Sequence, residues 1–171
     1  MFTNNYLAFR KGQFMNDGTQ QIKRVDGTMS NYIYSITETD IGAFLGTPRF
    51  GSVLEMGDPG VYFGSGTTPP TKEDYTLEAP IASGLSGIGH KAKADLVIYD
   101  NGKAKAEGNY LIKNETDEDI TVSEVGYFSR SIVYTTVGKL TMYDRSLVEP
   151  PVVIPPGEVR MITYRITIEN L

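Results

Sequence analysis

Ile162, Tyr164, Ile166 and Ile168 alternate with Thr163, Arg165, Thr167 and Glu169. Extended chain with this pattern has one apolar face and one wet face, and the period of two is that of a strand. The same alternation recurs along the sequence between Gly- and Pro-rich breaks. Tyr110–Lys113, Ile120–Phe128, Ser30–Thr37, Gly60–Phe63, Lys93–Tyr99, Ser131–Val137 and Lys139–Tyr143 read as further strands, bringing the count to roughly eight or nine. Helical spacing is legible in one place, Ile41, Phe44 and Leu45, with Thr39 or Asp40 as cap and Gly46 and Pro48 as stop signals. Many short strands separated by turns favour an all-β fold, a β-sandwich of jelly-roll or immunoglobulin-like type, with an N-terminal arm and one short helix.

Two segments read as hairpins. Val152-Val153-Ile154 runs into Pro155-Pro156-Gly157-Glu158, where fixed proline φ and permissive glycine favour chain reversal, and then into the Ile162–Ile168 strand. Upstream, Tyr110–Lys113 and Ile120–Phe128 flank the polar run Asn114–Asp119. Within the second of these strands the apolar phase slips, from Ile120 and Val122 to Val125 and Tyr127, which predicts a bulge near Ser123-Glu124-Gly126. Pro69-Pro70 precedes Thr71, with Asp74 three residues on, a capping pattern for one helical turn. The Gly57–Gly89 stretch reads as loops wrapped around a short strand, anchored by Val61, Tyr62, Phe63, Tyr75, Leu77, Ile81 and Leu85. The expected division is an arm over residues 1–56 with the short helix and a sandwich over 57–171, or one continuous domain over 1–171.

Composition narrows the chemistry. The 171 residues include no Cys and a single His90, which excludes zinc–thiolate sites, disulfides, thiol catalysis and His-pair metal sites. The start, Met1-Phe2-Thr3-Asn4-Asn5-Tyr6, lacks the basic and apolar regions of a secretory signal, and no apolar run has spanning length; synthesis in the cytoplasm without membrane insertion is expected. A net charge of −5 argues against nucleic acid as a partner, because counterion displacement needs an excess of cations. The charge is unevenly spread: Arg10, Lys11, Lys23 and Arg24 face only Asp17 in residues 1–25, whereas residues 26–90 are strongly acidic. A basic arm beside an acidic body suits contact with a neighbouring copy, and deleting residues 1–25 is expected to spare the sandwich but weaken assembly.

Gly64-Ser65-Gly66-Thr67-Thr68-Pro69 begins like a nucleotide loop, but no Lys-Ser/Thr follows and proline stands where the third glycine of a dinucleotide fingerprint belongs; a tight turn is the expectation. Gly84-Leu85-Ser86-Gly87-Ile88-Gly89 receives the same reading. Glu115, Asp117, Glu118 and Asp119 offer oxygen ligands without the central Gly and distal Glu of a calcium loop, which leaves a solvated hairpin tip. His90 pairs on paper with Ser86 and Asp95, yet no G-x-S-x-G elbow is present. No catalytic residue, cofactor or metal is expected. The eleven tyrosines fall mostly in strands, while Tyr62 and Tyr75 lie in the glycine-rich region, where a flat amphipathic ring can stack on a sugar or a partner.

The ordered set Gly60-Val61-Tyr62-Phe63-Gly64-Ser65-Gly66-Thr67-Thr68-Pro69-Pro70 and Asp74-Tyr75-Thr76-Leu77-Glu78-Ala79-Pro80-Ile81 resembles the GxGxTxPxxxDYxLExPI stretch of structural proteins of tailed bacteriophages. Asn114 to Phe128, with Ile120-Thr121-Val122, Glu124 and Gly126, is similar to their N-x-x-x-x-x-I-T-V-x-E-x-G hairpin, and Leu140–Arg145 with Val152–Glu158 and the last strand resembles their closing segment. The likeness covers about residues 60–168. It implies a non-catalytic structural subunit located in the virion, at the capsid surface as a decoration protein, at the neck or collar, or on the tail. Its partners would be other virion proteins and further copies of itself, a homo-oligomer; the alternative is a fibre or tail-tip module that binds a host surface glycan. The residues expected to touch partners are Arg10, Lys11, Lys23, Arg24, Tyr62 and Tyr75.

Overall fold

A computed structural model describes residues 1–8, 20–32, 60–100, 103–130 and 140–169. Among these residues, eight strands follow a helical turn over residues 4–8: β1 (Gln20–Lys23), β2 (Met29–Tyr32), β3 (Gly60–Gly64), β4 (Leu85–Asp100), β5 (Lys103–Asn114), β6 (Ile120–Arg130), β7 (Leu140–Ile154) and β8 (Val159–Glu169). The fold is all-β and sandwich-like. One antiparallel sheet has the order β3-β6-β7, a second β4-β5-β8, and β1-β2 form a separate two-stranded ribbon. The helix expected over 39–45 and the strand over 131–137 lie outside the described residues.

The two three-stranded sheets face each other across one apolar core. Val61, Phe63, Val122, Val125, Tyr127, Tyr143 and Ile154 come from the first sheet, and Leu85, Tyr110, Ile112, Ile162 and Tyr164 from the second. All five residues of β3 are buried, because its sheet is covered on both sides. Tyr62, Phe128, Leu140 and Met142 point away from the sandwich core and pack against Val25 and Leu77, brought by the β1–β2 ribbon and by the connection from 65 to 84. Double coverage explains the unbroken apolar run of Gly60–Phe63, where alternation would have marked a half-exposed strand.

The predicted phase slip is present. Val122 pairs with Val152 but Glu124 with Leu147, so the register breaks around Ser123 and the strand changes which side chains face the core. A second break places Tyr127 opposite Asp144 and Phe128 opposite Met142, leaving Tyr143 as the extra residue. Gly126 opposite Arg145, and Glu124 opposite Leu147, therefore share the side of the sheet that the 65–80 connection covers.

Both expected hairpins are corrected. β5 pairs with β4 and β8, and β6 with β3 and β7, so residues 115–119 carry the chain from one sheet to the other. Residues 155–158 do the same between β7 and β8. The local chemistry is that of a turn in both cases: Glu158 N–H donates to Pro155 O at 3.1 Å around Gly157 at φ 69°. Asn114, fully buried, joins the two crossings. Its amide donates to Ile154 O at 2.8 Å and Glu118 O at 2.6 Å, its Oδ1 accepts from Thr116, and its backbone pairs with Gly157 and Glu158. Residues 85–89 are also corrected, from loop to the start of β4, with Ile88 as a bulge between Gly87 and Gly89.

Residues 1–8 are no free arm. Phe2 bridges Asp144, Thr3 N–H donates to Tyr143 O, Arg145 N–H to Met1 O, and Tyr6 enters the sandwich core. The Asn5 side chain pairs with both the N–H and the C=O of Lys23, tying β1 to the same place. Removing residues 1–25 would take away Tyr6, Ile22 and Val25, all buried, and expose the core residues they cover, which argues against the expectation that the sandwich would be spared.

Candidate functional site: a carboxylate held by a glycine loop

The densest polar constellation among the described residues lies where the 65–80 connection crosses β6 and β7. Glu124 is 0% exposed and each carboxylate oxygen accepts two hydrogen bonds. Oε1 receives the N–H of Gly66 at 3.2 Å and of Ala79 at 2.8 Å; Oε2 receives the N–H of Glu78 at 3.1 Å and Arg145 Nε at 2.7 Å. The guanidinium then reaches Asp74 Oδ2 at 2.8 Å and Glu78 Oε2 at 3.3 Å. A buried charge is tolerated only when paired and fully hydrogen-bonded, and this arrangement meets both conditions.

The connection is shaped to reach that carboxylate. An ideal Cβ on Gly64 would stand 2.4 Å from Glu124 Oε1 and 2.8 Å from Ala79 O; one on Gly66 would stand 2.6 Å from Oε1. Only residues without a side chain admit the buried acid, a requirement of close approach. Further along, Thr68 binds Glu78 through its N–H at 2.8 Å and its hydroxyl at 2.7 Å. Thr71 and Asp74 form the expected cap contacts, at 3.0 and 2.7 Å, around a turn and not a helix. Ser65 N–H to Ala79 O and Ile81 N–H to Phe63 O fasten the two ends to each other and to β3.

The titration of these groups follows from their contacts. Burial pushes the Asp74 carboxyl up, but hydrogen bonds from Thr71 and Arg145 outweigh it and leave it below its ordinary 3.8. Glu78 is lowered from 4.5 chiefly by the Thr68 hydroxyl and N–H. For Arg145, desolvation acts against the charge, yet Asp74 and Glu124 carry the net shift upward. Nearby, buried Asp144 accepts the Tyr164 hydroxyl at 2.6 Å and the Ser146 hydroxyl at 3.1 Å, and lies 3.1 Å from the Met1 ammonium. Burial, followed by that carboxylate, raises the Tyr164 phenol well above 10.0.

The residues singled out from sequence are dispersed. Arg10 and Lys11 lie outside the described residues. Lys23 places Nζ 4.0 Å above the Tyr75 ring, a cation–π contact, so one face of Tyr75 is already covered. Arg24 sits beside the ribbon's turn, its Nε buried without a hydrogen-bond partner among the described residues. Tyr62 is 3% exposed and packs edge-on against Phe128 at 5.2 Å; its ring is core and not a partner-contact surface, which corrects that expectation. Ser86 donates to Glu115 at 2.7 Å, and Glu115 also pairs with Lys113; His90 stands on β4 opposite Tyr110. Asp117, Glu118 and Asp119 are exposed. Among the described residues no group of three His, Asp or Glu is placed to hold a metal.

Sequence reasoning passed over Glu124 and Arg145. The available signal was a carboxylate beside the predicted bulge and a cation in an otherwise apolar strand, Leu140–Tyr143, entering Asp144-Arg145. The glycine loop, expected from sequence as a tight turn, surrounds an anion that is the protein's own side chain. A groove of about 370 Å³ opens elsewhere, between β7 and β8, lined by Val125, Pro150, Pro151 and Arg165 among others. Comparison with protein-family models, curated proteins and solved structures returned no match.

Proposed function

We propose that this chain is a non-catalytic structural subunit of a tailed bacteriophage virion, working through protein–protein assembly. The residues that carry the resemblance to such proteins support this reading by what they do here. Gly64, Gly66, Thr68, Asp74, Leu77 and Glu78 from the first stretch, and Asn114, Glu124 and Gly126 from the second, interlock to fix one connection and two sheet crossings. They make a rigid module and leave other surfaces to do the binding.

The observation that carries the assembly reading is the outer face of the β4-β5-β8 sheet. Ile88, Leu111 and Met161 are 56%, 42% and 58% exposed, and they are neighbours in register: Leu111 pairs with Met161 on one side and with Gly89, next to Ile88, on the other. Val159 adds to the same face. Clustered exposed apolar side chains mark a surface that is covered in a complex, and a homo-oligomer or a neighbouring virion protein would cover it. A glycan platform built on Tyr62 and Tyr75 is less well supported, since the first ring is buried and the second is capped by Lys23.

The test is negative-stain imaging of purified particles, from the phage whose genome encodes the chain, labelled with an antibody raised against it. Label at a repeated position on head, neck or tail supports the proposal. Particles without label, and without its peptides in mass spectra, would remove it.

A further inference from the structure

We infer that the pocket around Glu124 is a small-carboxylate binding site whose ligand is tethered to the chain: emptied of that side chain, it takes up formate or acetate from solution. Three backbone N–H groups, of Gly66, Glu78 and Ala79, and Arg145 Nε converge on two oxygens at 2.7 to 3.2 Å. The donors come from outside Glu124's own strand, and each is positioned by contacts that do not involve Glu124. Gly66 lies one residue past the Ser65–Ala79 backbone bond, and Glu78 is held by Thr68. Arg145 is held by Asp74, by the backbone at Met1 and by pairing with Gly126. A shaped cluster of donors with a matching charge is what an anion site requires. Its specificity is for a planar two-oxygen anion, because the donors split two and two between Oε1 and Oε2.

The size of the vacated space sets which anion fits. Glu124→Ala removes Cγ and the carboxylate and keeps Cβ, so a free anion has to stand at van der Waals distance from Cβ where a covalent bond stood before; formate, with no carbon beyond the carboxylate, suits that space. Glu124→Gly removes Cβ as well and admits acetate. Propionate is too long for either. Glu124→Gln fills the pocket with an amide whose NH₂ opposes other donors, which weakens the protein without opening a site.

The experiment is thermal unfolding of the full chain and these three variants, titrated with sodium formate, acetate, propionate or chloride at constant ionic strength. A ligand that binds only the folded state raises the transition in proportion to the logarithm of its excess over Kd. Formate is expected to raise the transition of Glu124→Ala more than acetate does, acetate that of Glu124→Gly, and neither that of the wild type or Glu124→Gln. If Glu124→Ala does not fold in buffer alone, the readout becomes its refolded yield, expected to increase several-fold with formate over chloride. Equal responses in wild type and Glu124→Ala, indifference to anion size, or no response in either emptied variant would overturn the inference.

Discussion

At the scale of single residues, Glu124 and the glycines around it are the most sensitive positions. Glu124→Ala leaves Arg145 and three N–H groups facing a cavity, and breaking a buried ion pair from one side costs about 3–5 kcal/mol; chemical denaturation in the absence of added carboxylate checks the value. Gly64→Ala should cost roughly 1–3 kcal/mol by overpacking against Glu124 and Ala79 O, whereas Gly157→Ala, with open space around it, should show only the strain of φ 69°. Stability should hold a plateau bounded by titration on both sides. Asp74 and Glu78 are lowered in the fold, so their contribution is complete above their ordinary values of 3.8 and 4.5 and is lost as pH falls through the depressed ones. Tyr164 is raised, so its contribution is complete below 10.0 and is lost as pH rises toward its folded value. Urea midpoints across pH should therefore fall at both extremes, and Tyr164→Phe should reduce the alkaline fall. Little of this was legible beforehand, since a lone Glu and a lone Arg in two strands gain meaning only when the register sets them on one side of a sheet.

Elements were easier to read than their partners. Periodicity located β5, β6 and β8, and the slip from Ile120 and Val122 to Val125 and Tyr127 located the register break at Ser123, where the extra residues belong to β7. The Pro155–Glu158 turn was also legible, because proline and glycine fix local backbone whatever lies beyond. Whether such a turn folds a strand back on its neighbour or passes it to the opposite sheet is decided by distant strands, and no local rule could separate the two. Asn114 is the residue that commits the chain to crossing. Asn114→Ala should remove the side-chain hydrogen bonds to Ile154 O and from the Thr116 N–H, costing about 1–3 kcal/mol. Asn114→Asp should cost more, since it turns a carboxylate toward two carbonyl oxygens. Calorimetric unfolding of the pair checks that order. The start of β4 was missed because Gly87 and Gly89, poor strand formers by propensity, are held in the ladder by β5.

For the whole molecule, the sheet face bearing Ile88, Leu111 and Met161 predicts behaviour separable from stability. Leu111→Lys with Met161→Lys changes exposed side chains and should move the thermal transition by little, while shifting sedimentation toward the monomer and reducing incorporation into particles. Unchanged association would place the contact on another surface. Removal of residues 1–8 should act in the opposite way, lowering stability by taking Tyr6 out of the core and uncovering the backbone of Tyr143 and Arg145. The two sheet crossings have a further consequence, for synthesis on the ribosome. Because β5 awaits β8, and β3 awaits β6 far along the chain, the pieces that nascent chain can form from neighbouring strands among the described residues are the β1–β2, β4–β5 and β6–β7 ribbons. Neither sheet closes until β7 and β8 have emerged from the exit tunnel, so a stalled or shortened translation product has no half-built domain to fall back on and presents Tyr110 and Ile112 directly to chaperones and proteases.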